Sequence, residues 1–256
     1  MNIFKQIFRS LYSPKDIATF RFQGIGKTIL YVFILSLIFS LPANIRLATD
    51  FTTGINLANQ FLQEKLPDFE IRNGELESEA KEPIIWRQGT STFIFDPTGT
   101  LVERDVADYK NAIALLKEEF ILVANTQVQT YPYATFNLRE FDKQDITSFV
   151  ATLSSLTIVL VPFMVILLFL FLSFVKFVEV SLLAFFGVSL KNSLKRNLKY
   201  KHLWVLSAYS ITIPTIFFTI MHSLQVFVPF GIMIYWVSSF IVLYLSLKEI
   251  PASQKA

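Results

Sequence analysis

The sequence predicts a membrane α-helical bundle of four crossings, with a small extracytoplasmic α+β domain inserted between the first and second crossings. Three observations predict it. Ile146 to Val175 is a run of thirty residues with no Asp, Glu, Lys or Arg, longer than the ~20 that a helix needs to cross a ~30 Å hydrocarbon core. Thr28 to Ile45 and His202 to Leu247, of 18 and 46 residues, also carry no full charge. Charge is segregated as well: Leu47 to Thr147 holds 17 acidic and 9 basic residues, the rest of the chain 3 and 14. Lys and Arg near a membrane helix resist translocation, so the acidic block is expected outside and the basic segments inside.

Composition supports this class and excludes others. The chain is 53% hydrophobic with 27 Phe and 17% charged residues, too apolar for an ordinary soluble domain. The pI near 9.0 reads as positive-inside bias and attraction to anionic lipid headgroups, with the bilayer and not nucleic acid as the partner. The absence of cysteine excludes disulfides, thiolate metal sites, iron–sulfur centres and cysteine nucleophiles.

Residues 1–27 read as a cytoplasmic amphipathic segment. Ile3, Phe4, Ile7, Phe8 and Leu11 share a helical face, which suits an interfacial helix or one packed on the protein's own loops. Ser13-Pro14 reads as an N-cap followed by proline at the first helical position, starting a second short helix through Arg21. Gly24-Ile25-Gly26-Lys27-Thr28 ends like a phosphate-binding loop. That motif needs a glycine where Arg21 stands and a strand before it, so a hinge with a snorkelling Lys27 is the reading adopted. Residues 28–46 form the first crossing, with Pro42 near its outer end; five basic residues before it keep the N-terminus inside, and an uncleaved anchor is preferred over a signal peptide.

Residues 47–147 have the composition of a small independent core. A helix is expected over Ile55 to Leu66, stopped by Pro67. Asn73-Gly74 between Phe69–Arg72 and Glu75–Ser78 is a hairpin signal, because both central residues of a type I′ turn need positive φ. Ile84 to Arg87, Thr92 to Phe95, Phe120 to Val123 and Val128 to Phe136 read as strands. A helix is expected over Asp105 to Glu118 from the spacing of Val106, Tyr109, Ile113 and Leu116, and the strands are expected in one sheet. Asp96-Pro97-Thr98-Gly99-Thr100 resembles the phosphorylated Asp-Lys-Thr-Gly-Thr motif of P-type ATPases, with proline in place of lysine. A strand-to-turn junction needs the same residues and is the reading adopted. Glu75, Glu77, Glu79 and Glu82 read as a solvated face.

Residues 148–175 are expected to form the second crossing, kinked at Pro162. Residues 176–201 are expected to continue as an interfacial basic helix on the cytoplasmic side, with Leu190, Leu194 and Leu198 every fourth residue and Lys191, Lys195, Arg196, Lys199 and Lys201 contacting the membrane surface. Phe177 to Leu190 as a fifth crossing is the competing topology; fourteen residues span poorly, and it would export five basic residues. Lys176 and Glu179, at i and i+3, are a candidate intramembrane ion pair expected near the inner boundary. Residues 202–224 and 227–247 are the third and fourth crossings, broken near Gln225 to Gly231, with Pro214 kinking the third. Residues 248–256 are a cytoplasmic tail, held inside by Lys248 and Lys255. His222 stands alone and makes a poor metal site.

Tyr12-Ser13-Pro14-Lys15-Asp16-Ile17, Phe20-Arg21-Phe22-Gln23-Gly24-Ile25-Gly26-Lys27, Leu66-Pro67-Asp68-Phe69, Asn73-Gly74-Glu75-Leu76 and Ala208-Tyr209-Ser210-Ile211-Thr212-Ile213-Pro214 resemble an uncharacterised bacterial multi-pass membrane family. Its members are labelled maltodextrin utilisation protein YvdJ and grouped loosely with Yip-type membrane proteins. The resemblance implies a bacterial cell-membrane protein, accessory to carbohydrate uptake, with a partner such as a sugar permease. It brings no catalytic residue, metal or cofactor. The expected function is a non-enzymatic accessory, scaffold or sensory subunit; a small autonomous transporter is the alternative.

Overall fold

The computed structural model of the protein describes residues 1–124, 126–136 and 141–252. Lys255, expected to hold the C-terminus inside, lies outside the described residues. The chain divides into two compact units, Met1–Leu47 with Pro162–Ala256, and Ala48–Val161. Among the described residues four helices are long and apolar enough to span a membrane, and the strands fall in sequence between the first and second of them.

The first unit begins with α1 (Ile3–Ser10) and α2 (Pro14–Thr19). Ser13 caps α2 as its sequence suggests, its hydroxyl accepting from the Asp16 amide at 3.2 Å and so pairing one of the unsatisfied first-turn donors. The apolar face of α1 divides: Ile3 and Ile7 pack on the core, whereas Phe4 and Phe8 are exposed. After a single 3₁₀ turn at Phe20–Phe22, α3 (Ile25–Glu64) starts with Gly26 and Lys27 in its first turn. Lys27 donates to the Met1 carbonyl at 2.6 Å, and a helical turn, not a strand and phosphate loop, leads into α3. The first crossing and the helix expected from Ile55 to Leu66 are one continuous element, α3, with Pro42 inside it.

The helix α5 (Lys143–Ser193) is 51 residues long, about 77 Å at ~1.5 Å per residue. Only part of it fits within a ~30 Å hydrocarbon core. The residues expected as an interfacial basic helix continue α5 without a break from Lys176, and Val180, Leu183 and Ala184 among them are fully buried in the bundle. Gly187 is small for a reason, since a Cβ there would stand 3.2 Å from Leu243. Phe177 to Leu190 is therefore no separate crossing. α5 ends at Ser193, where Lys195 takes φ of 53° and the Arg196 amide bonds back to the Lys191 carbonyl at 2.8 Å, a left-handed cap that stops the helix before Lys201, where the expected one ended.

The segment expected as the third crossing folds as α6 (Tyr200–Ser210) and α7 (Thr212–Ser223), interrupted at Ile211. Pro214 has no amide for the Ser210 carbonyl and its ring crowds it. Nearby, the Thr212 hydroxyl donates to the Tyr209 carbonyl at 2.7 Å. α8 (Gly231–Lys248) completes the bundle. Arg196 donates to the Lys248 carbonyl at 3.1 Å, and Phe22 lies edge-on to His202 at 6.4 Å. The α1–α2 segment, the α5–α6 turn and the end of α8 thus share one end of the bundle. Arg46 donates to the His222 carbonyl at 2.9 Å at the other.

The second unit has two sheets where one was expected. β1 (Phe69–Arg72) pairs antiparallel with β2 (Glu75–Ser78) through a turn in which Asn73 and Gly74 take φ of 51° and 84°, as the Asn-Gly signal requires. β3 (Ile84–Gln88), β4 (Ser91–Phe95), β5 (Asn111–Leu115), β6 (Glu119–Ala124) and β7 (Gln127–Pro132) form a five-stranded sheet in that order. The expected helix over Asp105 to Glu118 is replaced by a short α4 (Glu103–Ala107) and by β5, which pairs parallel with β4. β8 (Phe141–Asp142) joins β1 in the smaller sheet.

Candidate functional site

Asp96 settles one candidate. It is fully buried at the end of β4; Oδ1 accepts from the Thr98 amide at 2.9 Å and hydroxyl at 2.5 Å, and Oδ2 from the Leu101 amide at 2.6 Å. Its carboxylate is committed to closing the turn, the role that Pro97 and Gly99 (φ 74°) also serve.

The five basic residues at the α5–α6 turn divide into two kinds. Lys191 donates to the Leu198 carbonyl at 2.6 Å and Arg196 to Lys248, so both tie the turn to helix ends. Lys195, Lys199 and Lys201 are exposed.

The densest chemistry lies in the bundle around Lys176. Its ammonium, only 2% exposed, donates to Glu179 Oε2 at 2.9 Å and to the Tyr235 hydroxyl at 3.0 Å. Tyr235 in turn donates to the same Glu179 oxygen at 2.6 Å, and Thr215 lies 3.2 Å from the Tyr235 oxygen. Aromatic faces complete the shell, Phe39 at 4.1 Å and Tyr235 at 4.5 Å from the nitrogen. A charge this buried persists only where it is paired and hydrogen-bonded, and here both hold. Helical spacing brings Lys176 and Glu179 together. α8 brings Tyr235, α7 Thr215 and α3 Phe39.

From Lys176 to Ser193 is about 25 Å of helix at ~1.5 Å per residue. Because Lys176 meets Tyr235, one turn after Gly231 on α8, it stands toward the Arg46 end of the bundle and away from the lysine-rich one.

Above it opens a cavity of about 1070 Å³ lined by Lys176, Glu179 and Tyr235 below, Arg46, His222 and Gln225 around the polar side, and Phe39, Phe218, Phe227, Phe230 and Trp236 as apolar wall. Its volume lies at the upper end of the range for ligand pockets. Phe230 closes the α7–α8 loop with φ of 54°, a conformation that costs a bulky residue strain. Glycine follows it, and a Cβ on Gly231 would press on the Phe218 ring at 3.0 Å. Beneath Lys176 the bundle closes: Leu183, Leu203, Leu206, Leu243 and Leu247 are fully buried. Among the described residues no group of three or more His, Cys, Asp or Glu is placed to hold a metal. The arrangement can bind and orient a ligand against one cation and one anion; no side chain in it is set as a nucleophile beside a base.

A family described as "Protein of unknown function (DUF1189)" has a model that matches residues 4–247. No curated protein and no solved structure matches the chain.

Proposed function

The chain belongs to the DUF1189 family, which carries no assigned activity, and from the site itself we propose a membrane-embedded binding protein acting as a sensory or accessory subunit. In this reading it crosses the bacterial cell membrane four times, with both termini in the cytoplasm, the sheet unit outside, and Lys195, Lys199 and Lys201 near anionic headgroups. What supports the orientation is that the basic segments share one end of the bundle, which the positive-inside bias would hold in the cytoplasm.

The observation that carries binding, not catalysis or passage, is the cavity with a fully paired Lys176–Glu179–Tyr235 floor and solid apolar packing below it. An ionisable pair within a membrane crossing marks a functional site by default. One observation favours the transporter as a second reading: the pair faces a cavity of ligand size. The maltodextrin and sugar-permease association rests on the resemblance alone.

The experiment is in-cell crosslinking of the tagged protein, then detergent purification and mass spectrometry. A stoichiometric membrane partner is the expected result. Recovery of the protein alone, with solute flux in liposomes, would move the reading to transport.

A further inference from the structure

A second cavity lies wholly within Ala48–Val161. Strand alternation sends Ile94, Ala114, Ile121 and Val123 to one face of the larger sheet, where they pack with Val106 of α4. Phe93, Ile113 and Leu122 face the other way, and there α3 and α5 stand across from them through Ile55, Ala58, Phe149 and Leu153. The cleft between has a volume of about 870 Å³. Its polar residues are few: Asp50, Ser91, Thr92, Asn111 and Tyr133 among otherwise apolar side chains and one glycine. Ser91 and Asn111 begin adjacent parallel strands, since Thr92 pairs with Ala112, and so they mark one end. The Tyr133 hydroxyl is committed to the Leu116 carbonyl at 3.0 Å.

Water in such a cleft finds few partners, and an empty one forfeits the dispersion contacts of its lining. A sugar, nucleotide or metal ion would be stripped of water there without replacement bonds. Hydrocarbon is what the lining accepts. Its source follows from the walls. α3 and α5 are both among the helices apolar enough to span a membrane. Along α5 the wall residues Phe149 and Leu153 continue on one helical face, by alternating steps of three and four, into exposed Leu156, Phe163, Leu167 and Leu170. That face of α5 carries no polar side chain from Phe149 to Leu170. We propose that this cleft binds one acyl chain, of a fatty acid or a membrane lipid, with its polar end at Ser91 and Asn111. The proposal needs α5 to enter the membrane and does not depend on the bundle cavity.

The test uses the full chain in vesicles of phosphatidylethanolamine and phosphatidylglycerol. The probes are palmitate with a chain diazirine, or phosphatidylglycerol carrying the diazirine in one acyl chain. After illumination, labelled peptides are mapped. Adducts on the strands holding Phe93, Ile113 and Leu122 are expected. Labelling by palmitate alone identifies a fatty acid, and labelling by both probes a lipid chain. Gly54→Trp fills the cleft from α3: a Cβ there meets nothing within 4 Å, and replacing a mid-helix glycine favours the helix. It should lower cleft adducts at least about tenfold, the loss of two or three methylene contacts, while leaving those on Phe163 to Leu170 unchanged. Ile113→Asp, at a residue 37% exposed, should do the same. No cleft adducts with either probe, equal adducts in both variants, or a cleft crosslinked to a second copy or another protein would overturn the proposal.

Discussion

Lys176 and Tyr235, 59 residues apart in sequence, meet at 3.0 Å and share one oxygen of Glu179. The contact joins α5 to α8 and makes the ion pair a property of the bundle, not of one helix. A buried pair is costly to break from one side, because the partner is left as an uncompensated charge. Lys176→Met should lower unfolding stability in mixed micelles by about 3 kcal/mol, and Lys176→Met with Glu179→Met by less than about 1 kcal/mol. Equal losses in the single and double variants would show that the two charges are not coupled.

Gln6, Gln23 and Tyr209 close a ring. Gln6 donates to the Gln23 carbonyl at 2.5 Å, Gln23 to the Tyr209 hydroxyl, and Tyr209 to the Gln6 carbonyl at 3.1 Å. Each group has its partner, which is what tolerates a glutamine 2% exposed in α1. Gln6→Leu leaves the buried Tyr209 and the half-buried Gln23 each short of a partner, at a cost of about 1–3 kcal/mol. Hydrogen exchange should quicken in residues 1–23 and stay slow in α8; uniform exchange across the chain would argue against a local tie.

Much of this architecture was legible in the sequence, and what was missed has physical reasons. The four apolar segments and the Asn73-Gly74 hairpin rest on local requirements, hydrocarbon thickness and positive φ, that no tertiary contact overrides. β5 was missed because Asn111-Ala112-Ile113-Ala114-Leu115 is short and rich in alanine, and its spacing also fits a helix. Its parallel partner β4 settles the matter only in three dimensions. The surroundings of Lys176 were not legible from its own helix, because Tyr235 and Phe39 reach it from α8 and α3. Depth along a 51-residue helix is set by which part packs against α8, and one-dimensional charge patterns do not contain that. Arg46, His222, Phe230 and Tyr235 reach the cavity from separate segments, and of these only His222 had a chemical signal.

Glu119 lies at the start of β6, and its carboxyl is held above the usual range, first by burial and then by Glu103 and Glu118. A carboxyl whose pKa is raised on folding stabilises the fold below its ordinary pKa. That contribution is lost as pH rises through the raised value. Glu119→Gln should therefore raise the thermal midpoint of the sheet unit in the full chain at pH 7, by no more than a few degrees given solvent screening, and leave it unchanged near pH 4. A midpoint that falls at pH 7 would assign the carboxylate a stabilising partner instead.

The bundle cavity opens at the Arg46 end, and buried apolar side chains close the bundle beneath Lys176. The chain has no cysteine, so single cysteines report without background. Met233→Cys at the cavity, Ala184→Cys below the pair and Lys195→Cys at the α5–α6 turn are each exposed to a membrane-impermeant maleimide in right-side-out and inverted vesicles. The expected result is labelling of position 233 only from outside, of 195 only from inside, and of 184 from neither. Labelling of position 184 from the inner side would contradict a sealed floor and establish a passage through the bundle.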